Sequence, residues 1–497
     1  MYIGGKKIDI IIQTEPEQIF HGVHELVRMA FPQFNIKMGG EDAECPNRIF
    51  LQGRVEEKAL CLYGSIQVDG KRTEDRQNCP LTEETAASGS KRWLARAFAY
   101  RLLCRHCGSG LNDYGLLTGV RPVKLVHRML DRGLGQAQIM RELQQKYLIT
   151  ASRARLLMEV AYNNRSYLEE SAAHHLVSIY IGIPLCPSRC FYCSFPGAVL
   201  KSYPEQVEPY VRALGQEMDD IGKVLKELGL GVQTIYIGGG TPTVLADKDI
   251  NTLFELLHEK YISSVTREIT LEAGRPDTLS SRRMELFKKV GISRLCINPQ
   301  TMNDVTLKRI GRQHTSRDVG AAVEWARQAG IDRINMDLIV GLPGEDQEDY
   351  NSTIAQALEL KPENITLHTL AAKKGSDLAR IEGLSWQKDD PIKAGLASMQ
   401  AKLRDEGYQP YYLYRQKYMR TDAENTGYSL PGCFCRFNIQ MIEERQTIIG
   451  IGGGAATKLI DSRGKITSLY NPTDPDSYCT AIPALVRRKV DNLRALN

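Results

Sequence analysis

Tyr180-Ile-Gly-Ile-Pro-Leu-Cys186-Pro-Ser-Arg-Cys190-Phe-Tyr-Cys193-Ser-Phe195 follows an apolar, strand-like run and sets three cysteines at CxxxCxxC spacing. Three thiolates so spaced hold three irons of a four-iron cube and leave the fourth iron without a side-chain ligand. A cluster that only carries electrons takes four cysteines, so a three-cysteine loop keeps one iron for another molecule. Zinc is the competing reading. Zinc sites pair CxxC halves with a second knuckle, and no such partner appears before Cys296.

S-adenosylmethionine fits an open iron, which it binds through its amino and carboxylate groups; one electron then splits it into methionine and a 5′-deoxyadenosyl radical. Outward from the loop, strand-like runs alternate with segments long enough for helices. They are Leu176–Tyr180, Val232–Ile237, Glu268–Glu272, Arg294–Asn298, Ile334–Ile339 and Asn364–His368, with Glu208–Leu228 and Arg317–Gly330 among the helical spacers. This alternation predicts an α/β fold of parallel strands closing into a full or partial (β/α) barrel, with its chemistry at the carboxyl ends of the strands. Gly238-Gly-Gly-Thr-Pro-Thr243 follows the second strand, Glu272 closes the third, Gln300 follows the fourth and Asp337 lies late in the fifth. The glycine run brings backbone close to a ligand, and it lacks the GxGxxG or Gly-Lys-Ser/Thr pattern of a phosphate loop.

The 497 residues allow two or three domains. We expect an α+β N-terminal domain over 1–172, the barrel over 173–384 and a C-terminal segment over 385–497 that lies against the barrel mouth. In the first, Ile8–Gln13 reads as a strand, Glu17–Met29 as a helix and Ile49–Gln52 with Ala59–Tyr63 as a hairpin. No apolar run reaches the length of a membrane span and no leader pattern opens the chain, so a cytoplasmic protein is expected. Twelve cysteines are then thiols or metal ligands. A net charge of +5 over such a length does not argue for nucleic acid.

The cysteine loop, Gly-Gly-Gly-Thr-Pro-Thr, the strand ending in Glu272, Asn298-Pro-Gln-Thr301, Ile310-Gly-Arg312 and Met336-Asp-Leu-Ile-Val-Gly-Leu-Pro-Gly344 together resemble the radical S-adenosylmethionine (radical SAM) enzymes of the oxygen-independent coproporphyrinogen III dehydrogenase family, over about residues 175 to 460. The resemblance implies cluster ligands at Cys186, Cys190 and Cys193, with Tyr180 beside the cluster and Tyr192 packing near adenine. It implies cofactor contacts at Gly239, Gly240, Thr241, Glu272, Gln300, Arg312 and Asp337, with Ala371 and Ala456 lining the same pocket. An isolated carboxylate such as Asp337 within an apolar strand requires polar partners; a cofactor provides them, as would an ion pair with Arg312 or Arg333.

Two departures from the core enzymes concern Gly182, where a histidine is typical, and Phe195, where a further cysteine is typical; Ser194-Phe195 is similar to heme-chaperone relatives. The His-Asn-x-x-Tyr-Trp signature appears as Phe437-Asn438-Ile-Gln-Met441-Ile442. Arg415 and Lys417, in the string Tyr411–Tyr418, offer propionate partners or an exposed strand face. Cys104/Cys107 and Cys433/Cys435 read as idle thiols, and Gly450–Ala455 as cofactor-pocket backbone. The resemblance implies decarboxylation of coproporphyrinogen III, with an external electron donor such as flavodoxin or ferredoxin. A heme-binding chaperone and another radical reaction on heme are the alternatives.

Overall fold

The run Leu176–Ile183 forms a strand inside an eleven-stranded sheet. This computed structural model describes all residues except 1, 4–5, 40–44, 83–87, 171–174, 194–196, 201–204, 206, 372–375, 381–390, 417–420, 422 and 497. Seven neighbouring strands run parallel, in the order Asn364–Thr369, Ile334–Val340, Arg294–Cys296, Glu268–Glu272, Gly231–Gly239, Leu176–Ile183 and Ile448–Gly452. Antiparallel pairs extend both sides, Asn425–Ser429 with Gln409–Tyr414 at one and Ala456–Ile460 with Ile466–Tyr470 at the other. Among the described residues the two edges do not pair, so the sheet is an open form of the expected barrel.

The connecting helices bury one stripe each, as their periodicity requires. In Val207–Glu227, for example, Tyr210, Leu214, Met218, Ile221 and Leu225 are buried against the strands. Side-chain caps fix where such helices begin: the Thr315 hydroxyl accepts from Asp318 N at 3.4 Å, while the Asp318 carboxylate accepts from Thr315 N at 2.7 Å. A buried arginine crosses the amino-terminal ends of four strands. Arg294 donates to Glu268 at 3.0 Å, to Asn335 Oδ1 at 2.8 Å, to Asn364 Oδ1 at 2.9 Å and to the Cys433 carbonyl at 2.8 Å. Full pairing offsets the cost of burying its charge.

The chain divides into two compact units, residues 1–119 with 128–157 and residues 120–127 with 158–497. The division falls earlier than residue 172 because the end of the helix Ala151–Glu170 bonds to the large sheet, Asn163 Nδ2 donating to the Pro410 carbonyl at 2.8 Å and Asn164 Nδ2 to that of Tyr411 at 3.2 Å. The residues after 384 add strands to both sides of that sheet, and the helix Arg436–Glu443 turns Phe437, Asn438, Met441 and Ile442 toward its cavity. These four positions share one helix face.

In the first unit a five-stranded sheet runs Asn35–Met38, Asp9–Glu15, Arg48–Glu56, Ala59–Val68, Lys71–Pro80. The helices Val23–Ala30 and Ser88–Cys107 share its core, which includes Leu26, Leu51, Leu62, Phe98 and Leu102. The expected hairpin is present, Ala59 facing Glu56. The helix expected from Glu17 starts at Val23, after a turn in which the Pro16 carbonyl accepts from Ile19 N. Lys71–Pro80 escapes a reading by apolar alternation because Lys71-Arg-Thr-Glu-Asp-Arg-Gln-Asn78 is polar on both faces, as suits an edge strand.

Candidate active site

The cysteine loop follows the carboxyl end of Leu176–Ile183 and borders a cavity of about 490 Å³. Cys186, Cys190 and Cys193 all line it. Backbone bonds shape the loop: Cys193 N donates to the Cys190 carbonyl at 3.0 Å, and Phe191 N to that of Ile310 at 3.0 Å. Side-chain donors reach the sulfurs of Cys186 and Cys190. The Thr241 hydroxyl reaches Cys186 Sγ at 3.6 Å, and Arg275 Nη1 reaches Cys190 Sγ at 3.7 Å. Arg275 is buried and bound to Asp277 Oδ1 at 3.1 Å and to the Ser188 hydroxyl at 2.9 Å, so it ties the loop to the strand end at Glu272. Burial pushes the Cys186 thiol up, a cost that metal ligation relieves. Among the described residues no three His, Cys, Asp or Glu side chains converge on a single ion. A cube separates its ligands by giving each cysteine a different iron.

The glycine loop packs tightly under the cysteines. A side chain at Gly240 would stand 2.5 Å from the Leu185 carbonyl oxygen, and Gly239 has φ 107°. Gly240 N and Thr241 N donate to the carbonyls of Ile183 and Leu185, and Gly239 N donates to Glu272 Oε2 at 3.2 Å. With its amides engaged, the loop meets a ligand through carbonyl acceptors, which suits the N–H donors of an amino group. The Tyr236 hydroxyl donates to Glu272 Oε1 at 2.7 Å. Burial pushes the Glu272 carboxyl up to about 7; the Tyr236 bond opposes this and Asp337 adds to it.

Glu272, Gln300, Arg312, Asp337, Tyr192 and Ala371 all line the cavity, as do Gly239, Gly240 and Thr241. Arg312 is not paired with Asp337. It donates to the carbonyls of Gly274 at 2.6 Å and Asn298 at 3.0 Å and to the Tyr192 hydroxyl at 3.0 Å, which fixes that ring beside the cysteines. Gln300 holds φ 74°, a left-handed backbone that only its surroundings can impose, with Gln300 N donating to the Asp337 carbonyl at 2.9 Å and its own carbonyl accepting from Ile339 N at 2.8 Å. Asp337 Oδ1 lies 3.7 Å from His368 Nε2.

Other expected positions lie off the cavity wall. Tyr180 stands behind it: its ring stacks on Tyr236 at 6.1 Å and on Phe437 at 6.0 Å, and its hydroxyl would lie 3.4 Å from a side-chain atom at Gly239. Ala456 and Arg415 do not line it, although Tyr414 and Gln416 on either side of Arg415 do; strand alternation turns Arg415 the other way. Lys417, Ser194 and Phe195 lie outside the described residues. The glycines of Gly450–Gly454 are not on the wall either. They let strands approach, since a side chain at Gly452 would stand 2.2 Å from the Gly182 carbonyl. Cys435 is buried, its thiol 3.2 Å from Glu268 Oε1.

Sequence reasoning missed Arg275, His368, Asn425 and Tyr414. Only Arg275 left a local signal, a cation in Glu272-Ala-Gly-Arg-Pro276 at a strand end. On the wall, the buried Asn298 Oδ1 and Arg312 Nε have no hydrogen-bond partner among the described residues. Orphaned polar atoms beside three grouped thiols fit a cluster with a polar nucleotide cofactor.

The family model of the radical SAM superfamily matches residues 180–357. The oxygen-independent coproporphyrinogen-III oxidase-like protein HemZ of Bacillus subtilis (strain 168) is 39% identical over 411 residues, 80% of either chain. The heme chaperone HemW of Escherichia coli (strain K12) is 30% identical over 302 residues, 61% of this chain and 75% of that one. Among solved structures, coproporphyrinogen III oxidase HemN from Escherichia coli shares the fold, with a TM-score of 0.51 at 20% identity over 66% of this chain and 74% of that one. Membership brings a [4Fe–4S] cluster and S-adenosylmethionine as cofactors. With its three-thiol loop, its glycine turn and these relatives, the chain belongs to the radical SAM superfamily, in the family of oxygen-independent coproporphyrinogen-III oxidase-like proteins.

Proposed function

We propose that the chain decarboxylates two propionate side chains of coproporphyrinogen III to vinyl groups, giving protoporphyrinogen IX without oxygen. One observation carries the reading. A single cavity runs from the cysteine loop to a wall of Tyr412, Phe437, Met441 and Ile442, which gives a flat apolar ring a place beside the cluster. When bound, the cluster and S-adenosylmethionine together supply a one-electron cleavage that ends in removal of one hydrogen atom from the substrate.

The protein's own groups position and exclude. Cys186, Cys190 and Cys193 would hold three irons of the cluster. Glu272, gripped by Tyr236 and Gly239, and the carbonyls of the glycine loop would receive the cationic end of the cofactor. Arg312 keeps the Tyr192 ring in place, and the stack of Phe437 on Tyr236, with ring centroids 4.6 Å apart, shuts water out behind it. For each propionate the carbon β to the carboxylate, the one bonded to the pyrrole, loses a hydrogen atom, and the neighbouring carbon then releases carbon dioxide as the double bond forms. One electron enters from a donor such as flavodoxin or ferredoxin, and one leaves to a one-electron acceptor.

Reconstituted protein incubated anaerobically with coproporphyrinogen III, S-adenosylmethionine and reductant is expected to release two carbon dioxide molecules per protoporphyrinogen IX, tracked by mass spectrometry. Tight heme binding without cofactor cleavage would favour heme delivery instead, the reading supported by the likeness to heme chaperone HemW. Consumption of heme itself would mean a ring-modifying radical reaction.

A further inference from the structure

Three adjacent strands reach the same level on the cavity side. In the ladder between Asn364–Thr369 and Asn425–Ser429, Leu367 faces Thr426, so one step further His368 faces Asn425. Asn425 in turn faces Tyr414 on the outer strand. His368, Asn425 and Tyr414 form one cross-strand row, with side chains on the same face, and all three line the cavity. The row beside it is self-satisfied: Thr366 and Tyr412 share a hydrogen bond of 3.0 Å between their hydroxyls.

The His368 row is not. Asn425 Oδ1 accepts from Thr369 N at 2.8 Å, which settles the orientation of the amide and points Nδ2 away from that bond. Asn425 is fully buried, and its Nδ2 finds no acceptor among the described residues. Beside it the Tyr414 hydroxyl stands 3.2 Å from His368 Nδ1 and accepts from Gln416 Nε2 at 3.3 Å. With His368 Nδ1–H donating to the phenol oxygen, the Tyr414 O–H and the Asn425 N–H are left side by side as two donors, and the imidazole holds the phenol in place. A carboxylate is the group that answers them, because it accepts along several directions and donates along none.

We propose that the His368–Asn425–Tyr414 row seats a propionate carboxylate of the tetrapyrrole and so sets how the ring lies against Phe437 and Met441. The inference rests on the decarboxylase reading and adds to it a substrate subsite distinct from the glycine loop and Glu272. Asp337, 3.7 Å from the imidazole, is the carboxylate that faces the row from the next strand, and it orients His368 from the side opposite Tyr414.

The test uses the cluster-loaded full chain and two unreactive fluorescent probes, coproporphyrin III and its tetramethyl ester, with S-adenosylmethionine affinity measured in parallel. Asn425→Asp keeps the acceptor for Thr369 N and sets a negative charge against the ligand. It is expected to weaken coproporphyrin III binding by roughly tenfold or more, the effect of losing a charge-assisted hydrogen bond, while ester and S-adenosylmethionine affinities stay within about twofold. Tyr414→Phe is expected to give a smaller loss in the same direction. The proposal is overturned if Asn425→Asp leaves the free acid unaffected, if it weakens both porphyrins alike, or if it weakens S-adenosylmethionine instead, since the row would then serve the cofactor's carboxylate. A flat response in a protein that binds coproporphyrin III removes the subsite and leaves the decarboxylase reading in place, whereas a wild type that binds neither porphyrin removes both.

Discussion

Glu272 has both carboxylate oxygens occupied, by the Tyr236 hydroxyl and by Gly239 N, and burial still pushes it up to about 7. Without a bound cation the folded chain therefore keeps a proton there between the ordinary carboxyl value, 4.5, and about 7, a window in which the unfolded chain has lost it. Stability from this group is full below the lower limit and falls as pH rises through the upper one. Binding of a cation has the opposite slope, because only the ionised carboxylate attracts it. S-adenosylmethionine affinity is expected to rise by about tenfold from pH 6 to pH 8, and Glu272→Gln to flatten that rise; calorimetric titration of the wild type showing no slope would remove Glu272 from the cofactor site. Glu272 was legible because a strand ending in an acid is a local pattern, as are three cysteines within eight residues. His368 and Asn425 were not, because their partnership is a matter of register between strands that sequence order does not reveal.

At the scale of elements, the segment after Glu268–Glu272 reaches back to the cysteine loop through one side chain. Arg275 holds Ser188 and Cys190 from 85 residues away. A donor and a positive charge beside a cluster thiolate stabilise the reduced, more negative state. Arg275→Met is expected to move the cluster's midpoint potential to more negative values, and Arg275→Lys to move it less, in redox titrations followed by electron paramagnetic resonance. Unchanged potentials at unchanged iron content would leave Arg275 with a structural role only. The parallel strands were readable from their apolar runs and the helical spacers between them. The place of Ile448–Gly452 was not: its glycines resemble ligand-binding backbone, and only the neighbouring strand, with its Gly182 carbonyl 2.2 Å from where a side chain at Gly452 would begin, explains them.

Across the second unit, one buried ion pair joins elements far apart in sequence. Glu217, on Val207–Glu227, accepts from Lys489 on Pro475–Arg494, from the Tyr478 hydroxyl at 2.6 Å and from Gly452 N at 2.7 Å, and both charged side chains are fully buried. Removing one partner strands the other charge, so Lys489→Met is expected to cost about 3–5 kcal/mol in denaturant unfolding; a loss under about 1 kcal/mol would mean the pair is not closed in solution. The same region sets an order of events in synthesis. Leu176–Ile183 finds its second neighbour only in Ile448–Gly452, so a ribosome must add some 270 further residues before that flank is covered. During that interval the nascent chain presents a bare β flank to other polypeptides, the condition that invites aggregation, and chaperone dependence during expression should track the stretch of translation between these two strands.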